Sequence, residues 1–561
     1  MPSLRSYFLL AVSFFLLGCS QTLVPAPRLS VLSQRQADDD LLTRLHADWL
    51  VLGRSCVTAS EREAALKRYN AGLLLLIQRL RYDYSRYRDS NRYDGLSVVH
   101  HMSAAGKKLI MLYDDIVPAA EVPLVDLQER YTTPGIGVAL VGIIPPEKVQ
   151  NADGMFNIAT RGSVSALTAV LSFNRGGQPV LQLIPRQQQD DVRVGCRTYP
   201  LAADWSALLE VYWHITRVKD DRVLGLFRPQ KLRSTTGLSS LTPYDPDKIP
   251  VILTHGLLSS AGTFDKLVNR LIGDPRIRET YQFWYFNYPT GVAWTVSARA
   301  YRESLRALRR QVDPLHRNRN WDNMVVVGHS MGGLITHYSQ CLEPWELLRV
   351  TDIPHVDRYL SPEYIDKPFP VPQLNPLRQD YFFRPVEAGL VVYMATPHRG
   401  APVARYRLAA FISKLVTLPQ TLLREAYNIA TLQDDMLLLN PQEAYQWFTS
   451  IGQLKPDSYS IRGLQGLRVR DVPTHSIIGD RGENTCPRCS DGVVPYWSSH
   501  ISWGTETIVP YDHSVQDCPE SAEDMKRLLY AYALRLPAAR KQRALLRCTE
   551  QVNHRGASVR K

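Results

Sequence analysis

Residues 239–535 predict a doubly wound, mainly parallel α/β sheet, preceded by a helical segment and a β-rich accessory region. Two observations carry this. From residue 250 onward, short apolar runs alternate with helical stretches, which is the pattern of successive βα units. Upstream, apolar residues first recur every three or four positions and then give way to short β-branched runs split by Gly, Pro and Asn. With 561 residues of which 45% are hydrophobic, the chain can bury a large core, which excludes a disordered or collagen-like polymer.

The first element reads as an export signal. Arg5 precedes an apolar run over residues 8–17, too short for the roughly 20 residues needed to span a bilayer. The run ends Leu16-Leu17-Gly18-Cys19, which resembles the lipobox of bacterial lipoproteins. That resemblance implies a signal peptide over 1–18 and a lipidated Cys19, palmitate-bearing and membrane-anchored. Ser20, in place of Asp, implies the outer membrane of the cell envelope. Residues 19–40, with two prolines, read as a tether.

Residues 41–94 read as helical, with Ala64, Ala65, Tyr69, Leu73, Leu76, Ile77 and Leu80 recurring at three- and four-residue spacing. Residues 95–238 carry the β-like runs 138–144, 165–173 and 180–184, and no cluster of catalytic type. A turn-rich junction, 239–248, opens the α/β region. Its strands are expected at 250–254, 283–288, 324–327, 389–394 and 475–478, with helices between them at 296–312 and 332–342.

Gly328-His329-Ser330-Met331-Gly332 fits G-x-S-x-G and stands between a β-branched run and a helical stretch. That context predicts a sharp strand-turn-helix elbow that presents the Ser330 hydroxyl above the sheet as a nucleophile. The acid and base should follow in chain order. Asp491 or Asp480 can supply the acid; His513, with His500 as competitor, can supply the base. An oxyanion hole needs two backbone N–H groups. Met331 follows the nucleophile, and Leu257 follows the strand that ends in His255-Gly256.

Four blocks in order, residues 244–257, 328–333, 395–400 and 490–495, resemble those of bacterial α/β-hydrolase lipases and esterases. The resemblance covers about 242–536 and leaves the first 230 or so residues unexplained. It implies acyl-ester hydrolysis through an acyl-enzyme, with Ser330, Asp491 and His513 at the triad positions. It also favours Asp-Gly-Val-Val-Pro as the acid loop. The same triad would serve an acyltransferase, and a hydrolase fold can also persist in a noncatalytic binding lipoprotein. The expected partners are an acyl-ester or lipid substrate and the membrane; oligomeric state is left open.

Residues 401–467 are too long for a connection and read as a lid or cap. Cysteines 486 and 489 flank Pro-Arg just ahead of the acid loop. Zinc would need a matching second pair, so a loop disulfide is expected, either Cys486–Cys489 or Cys489–Cys518. No cofactor or metal is expected. The net charge of +12 hints at a polyanion partner, but residues 535–561 alone hold eight Lys/Arg against Glu550. The excess is thus largely a basic C-terminal tail, over 536–561, and nucleic acid is not expected as a partner.

Overall fold

The computed structural model describes residues 31–82, 92–93, 96–100, 113, 115–145, 162–216, 236–350, 357, 360–368, 375–402, 449–482 and 485–536. The signal and Cys19, most of the lid segment (403–448) and the basic tail beyond residue 536 lie outside the described residues.

Helix α1 (Val31–Gly53) begins inside the stretch read as a tether. The prolines at 25 and 27 lie ahead of it, and Gln34-Arg35-Gln36-Ala37 are good helix formers, so no local breaker stands in its way. Its partner α2 (Ala59–Tyr82) buries five residues of the expected pattern, Ala65, Tyr69, Leu73, Leu76 and Ile77, which pack with Leu41, Leu45 and Leu52 of α1, while Ala64 is exposed. A capping box starts α2, with Thr58 Oγ1 accepting from Glu61 N while Glu61 accepts from Thr58 N.

The pair covers a six-stranded sheet of β1 (Arg92–Tyr93), β2 (Leu96–His100), β3 (Asp115–Pro118), β4 (Val138–Ile144), β5 (Ser163–Phe173) and β6 (Pro179–Pro185), in the order β1-β2-β6-β5-β4-β3. Tyr69 ties helix to sheet, donating to Leu171 O at 2.6 Å and accepting from Leu171 N at 2.8 Å. The opposite face meets α3 (Trp205–Thr216), which reads as part of the β-rich region yet is almost wholly buried. Val141, Val164 and Ala166 join α3 and the C-terminal α/β half in one continuous core. The N-terminal region is therefore packed onto the C-terminal α/β half rather than strung beside it.

The second sheet has seven strands: β7 (Gly237–Ser240), β8 (Ile249–Thr254), β9 (Tyr281–Asn287), β10 (Val325–His329), β11 (Leu390–Met394), β12 (Thr474–Gly479) and β13 (Thr505–Val509), in the order β7-β9-β8-β10-β11-β12-β13. All pairs are parallel except β7 with β9. This is a mixed, mostly parallel sheet, with helices including α4 (Asp265–Gly273), α5 (Trp294–Val312), α6 (Met331–Ser339) and α7 (Pro519–Arg535).

The five expected strands form the middle of this sheet, and both edges were silent in the sequence. β7 falls where the turn-rich junction was expected to begin, because Ser239 and Ser240 carry no apolar signal. Hydrogen bonds hold it instead: Tyr212 Oη and Asn287 Nδ2 both donate to Ser239 Oγ, at 3.0 and 2.8 Å.

From β8 the chain steps outward to β9 and then returns to the other side of β8 for β10. The carboxyl ends of β8 and β10 therefore flank the point where the winding reverses, which is where open α/β sheets leave a crevice. Register places Thr254 beside Gly328, so the segments after both strands emerge at one level. No helix of the described residues is long and apolar enough to cross a membrane.

Candidate active site

The elbow after β10 is built as the sequence context requires. Ser330 has φ 53° and ψ −123°, a left-handed conformation costly for a residue with a Cβ. The glycines around it permit close crossing: a Cβ on Gly328 would strike the backbone of Gly332 and Gly333, and one on Gly332 would strike the carbonyls of Thr254 and His255. Leu258 and Ala395, in the segments after β8 and β11, also have positive φ, at 57° and 48°. Three of the four non-glycine residues with positive φ among those described thus ring the carboxyl ends of neighbouring strands.

Ser330 occupies the N-cap of α6, yet its hydroxyl caps nothing. It turns outward to His513, with Oγ and Nε2 2.9 Å apart. His513 Nδ1 lies 2.7 Å from Asp491 Oδ2. Asp491 is buried at 2% exposure, and its other oxygen accepts from Val493 N at 2.7 Å and Val494 N at 2.6 Å. With one oxygen held by two backbone N–H groups, the carboxylate presents the other to the imidazole. A carboxylate takes its hydrogen bond from Nδ1–H, so Nε2 of neutral His513 is left to accept the Ser330 proton.

The competing residues are placed elsewhere. Asp480 Oδ1 accepts from Gly482 N at 2.8 Å within its own turn. His500 Nδ1 faces Glu506 Oε2 at 2.7 Å, in a network with Tyr496. Met331 is the first residue of α6, so its N–H has no acceptor within the helix and lies at the positive end of the helix dipole. Leu257 follows Gly256, where an added Cβ would come within 2.9 Å of Ser330 Cβ. The glycine lets this backbone pass beside the nucleophile.

Sequence reasoning missed two supports. His329, the variable residue before the nucleophile, is buried, and its Nε2 donates to the His513 carbonyl at 2.8 Å. Burial pushes its pKa down to about 3, which keeps the ring neutral. No local signal marks this partner, which lies 184 residues away. The second is the block at 395–400. Arg399 Nη1 donates to the carbonyls of Trp497 and His500 at 2.7 and 2.6 Å, and Ser498 Oγ donates to Gly400 O at 2.7 Å. The loop after β11 is thereby bolted to the segment that follows Asp491.

The disulfide joins Cys486 to Cys489, not Cys489 to Cys518; Cys518 is a buried free thiol that donates to Glu520 Oε2. Among the described residues, the one cluster of three metal-type donors is Asp480 with these same two cysteines. Their sulfurs are bonded to each other, so no thiolate is left there for a cation.

No protein-family model matches the chain, and no curated protein matches it in sequence. Solved structures that overlap it include a Bacillus licheniformis lipase in mature form, at 12% identity and TM-score 0.29, covering 51% of this chain and 93% of that one. A lipase-esterase related protein from Clostridium acetobutylicum overlaps at 11% identity and TM-score 0.26, covering 52% and 98%. A metagenomic carboxyl esterase overlaps at 18% identity and TM-score 0.26, covering 48% and 65%. Overlap this low assigns neither a family nor a reaction to this chain.

Proposed function

We propose that the chain is an α/β-hydrolase serine esterase that cleaves carboxylic esters through an acyl-enzyme, held at the bacterial outer membrane by lipid on Cys19. The observation that carries the catalytic part is the unbroken chain Ser330 Oγ, His513, Asp491, at 2.9 and 2.7 Å.

Ser330 Oγ attacks the ester carbonyl carbon while His513 Nε2 takes its proton. Asp491 holds the ring in that tautomer and stabilises the imidazolium that forms. The N–H groups of Leu257 and Met331 receive the developing oxyanion, each contributing about 3 kcal/mol of transition-state stabilisation. The imidazolium then protonates the leaving alcohol, and water, activated by the same histidine, releases the acid.

A fluorophosphonate probe and a series of p-nitrophenyl esters of increasing chain length test this reading. Wild type should be labelled and should hydrolyse the esters, and Ser330→Ala should do neither. Folded wild type that resists labelling and shows no turnover above Ser330→Ala would remove it. The anchor is tested separately with an alkyne-tagged palmitate in a bacterial host: incorporation should be lost in Cys19→Ala. Equal incorporation in both would remove the anchor alone.

A further inference from the structure

At the opposite end of the catalytic sheet lies a cavity of about 530 Å3. Met324, just before β10, and Val386 and Glu387, ahead of β11, line it, while Ser330 closes the far end of β10. Five strand residues at about 3.3 Å each separate the two by roughly 16 Å.

Its wall is one row of helix α5. Arg302, Arg306 and Arg310 stand four residues apart, so their side chains neighbour one another on one face, an arrangement of like charges that destabilises an isolated helix. Arg384 and His316 add to the rim. The carboxylates of the cavity are taken: Asp366 pairs with Arg384 at 2.7 Å, and Glu387 pairs with Arg309, which also bonds Asp322. No salt bridge joins Arg302, Arg306 or Arg310 to a carboxylate among the described residues.

Arg302 is the telling member. It is 1% exposed and its guanidinium stacks 3.3 Å above the Phe383 ring. Nη2 donates to the carbonyls of Gln379 and Asp380, but Nε and Nη1 have no hydrogen-bond partner among the described residues. Burial pulls its pKa down to about 9. For Arg306, partial burial lowers the pKa first; the Glu303 carboxylate opposes this, and repulsion from Arg310 and Arg384 adds to it. At Arg302 the neighbouring Asp380 carboxylate offsets part of this effect but burial outweighs it, and a buried guanidinium is expensive unless further negative charge balances it. Trp321 and Phe382 supply apolar walls beside the charge.

We propose that this cavity binds a phosphate ester, its phosphate bridging Arg306 and Arg310 over the buried charge of Arg302, and its organic portion resting on the apolar wall of Phe383 and Trp321. Phosphate fits better than carboxylate because two forked cations, backed by the buried charge of Arg302, suit its higher charge and additional oxygens. The ester can be a soluble metabolite or a phospholipid headgroup.

Isothermal titration of the full-length protein in an uncharged detergent decides. The probes are phenyl phosphate and a short-chain, ether-linked phosphatidylglycerol, which offers no carboxylic ester to the triad. Wild type should bind at least one probe, and the double variant R306Q/R310Q, changed only at the solvent-facing rim, should bind it about tenfold or more weakly. Turnover of p-nitrophenyl butyrate should agree within about twofold between the two proteins, since the cavity lies across the sheet from Ser330. Tighter phenyl phosphate marks a soluble ester; tighter phosphatidylglycerol marks the membrane headgroup. No binding of either probe by wild type, or equal binding by the double variant, overturns the proposal whatever the esterase assay gives.

Discussion

His329 Nε2 donates to the backbone carbonyl of His513 at 2.8 Å, so the residue ahead of the nucleophile pins the main chain of the base. Ser330 and His513, two members of the proposed triad, are thereby coupled twice, once through the Ser330 hydroxyl and once through the side chain of His329. This makes His329 a positioning residue. His329→Phe should lower kcat about ten- to a hundredfold, because misplacement of a catalytic group by 1 Å has costs of that order. KM should change little, and His329→Gln, which keeps a donor, should recover most of the loss. Equal rates for all three proteins would dismiss the role.

Asp491 and Asp480 give opposite expectations. Asp491→Asn preserves shape but removes the acceptor that holds the His513 tautomer, and kcat should fall by about four orders of magnitude, as when a triad acid is amidated. Asp480→Asn only weakens a turn and should stay within about threefold of wild type. The kcat values of the two purified variants on one ester settle which carboxylate serves, and a larger loss at Asp480 would reverse the assignment.

Gly256→Ala puts a methyl 2.9 Å from Ser330 Cβ and 3.2 Å from His329 Nδ1. The backbone that carries the Leu257 N–H must then retreat. Loss of one oxyanion donor has costs of about 10²–10³ in kcat, so a loss in that range is expected with little change in melting temperature. Unchanged kcat in the Gly256→Ala variant would show that Leu257 N–H is not part of the oxyanion hole.

Acid should destabilise the fold through three buried histidines. Burial holds His329 and His337 at about 3 and lowers His398 well below its ordinary 6.5. Above pH 6.5 all are neutral in both folded and unfolded chains. Below it the unfolded chain takes up protons that the folded core refuses, so stability falls with pH by up to about 1.4 kcal/mol per unit for each histidine. For His329 and His337 the loss ends near pH 3, where the folded rings protonate too. Calorimetric melting temperature should drop between pH 7.5 and 4.5, and His337→Gln should flatten the drop. A level profile in wild type would contradict this account.

What could be read locally was the elbow, because a sharp turn must be made by the residues that occupy it: Gly328, Ser330 and Gly332 are contiguous and their spacing is the structure. The central strands were legible for a similar reason, since fully buried parallel strands appear as apolar runs. β7 and β13 were not, as one is held by hydrogen bonds to serine and the other is a half-exposed edge with Thr, Glu and Thr in a five-residue span. Two candidate acids and two candidate bases remained after the sequence, all with suitable chemistry and chain order.

The amino-acid sequence by itself determined the nucleophile's turn, the alternation that builds the sheet, and the concentration of basic charge in the C-terminal tail. Only the tertiary structure decided that His513 and Asp491, not His500 and Asp480, meet Ser330, that Cys489 pairs with Cys486, and that the N-terminal sheet shares a core with the α/β half. It also decided that His329 bonds the His513 carbonyl and that a row of arginines lines the wall and rim of a cavity. The physical reason is range. Turns and amphipathic faces follow from neighbours within a few residues, whereas a triad and a charged cavity follow from the side of the sheet to which each long crossover returns the chain.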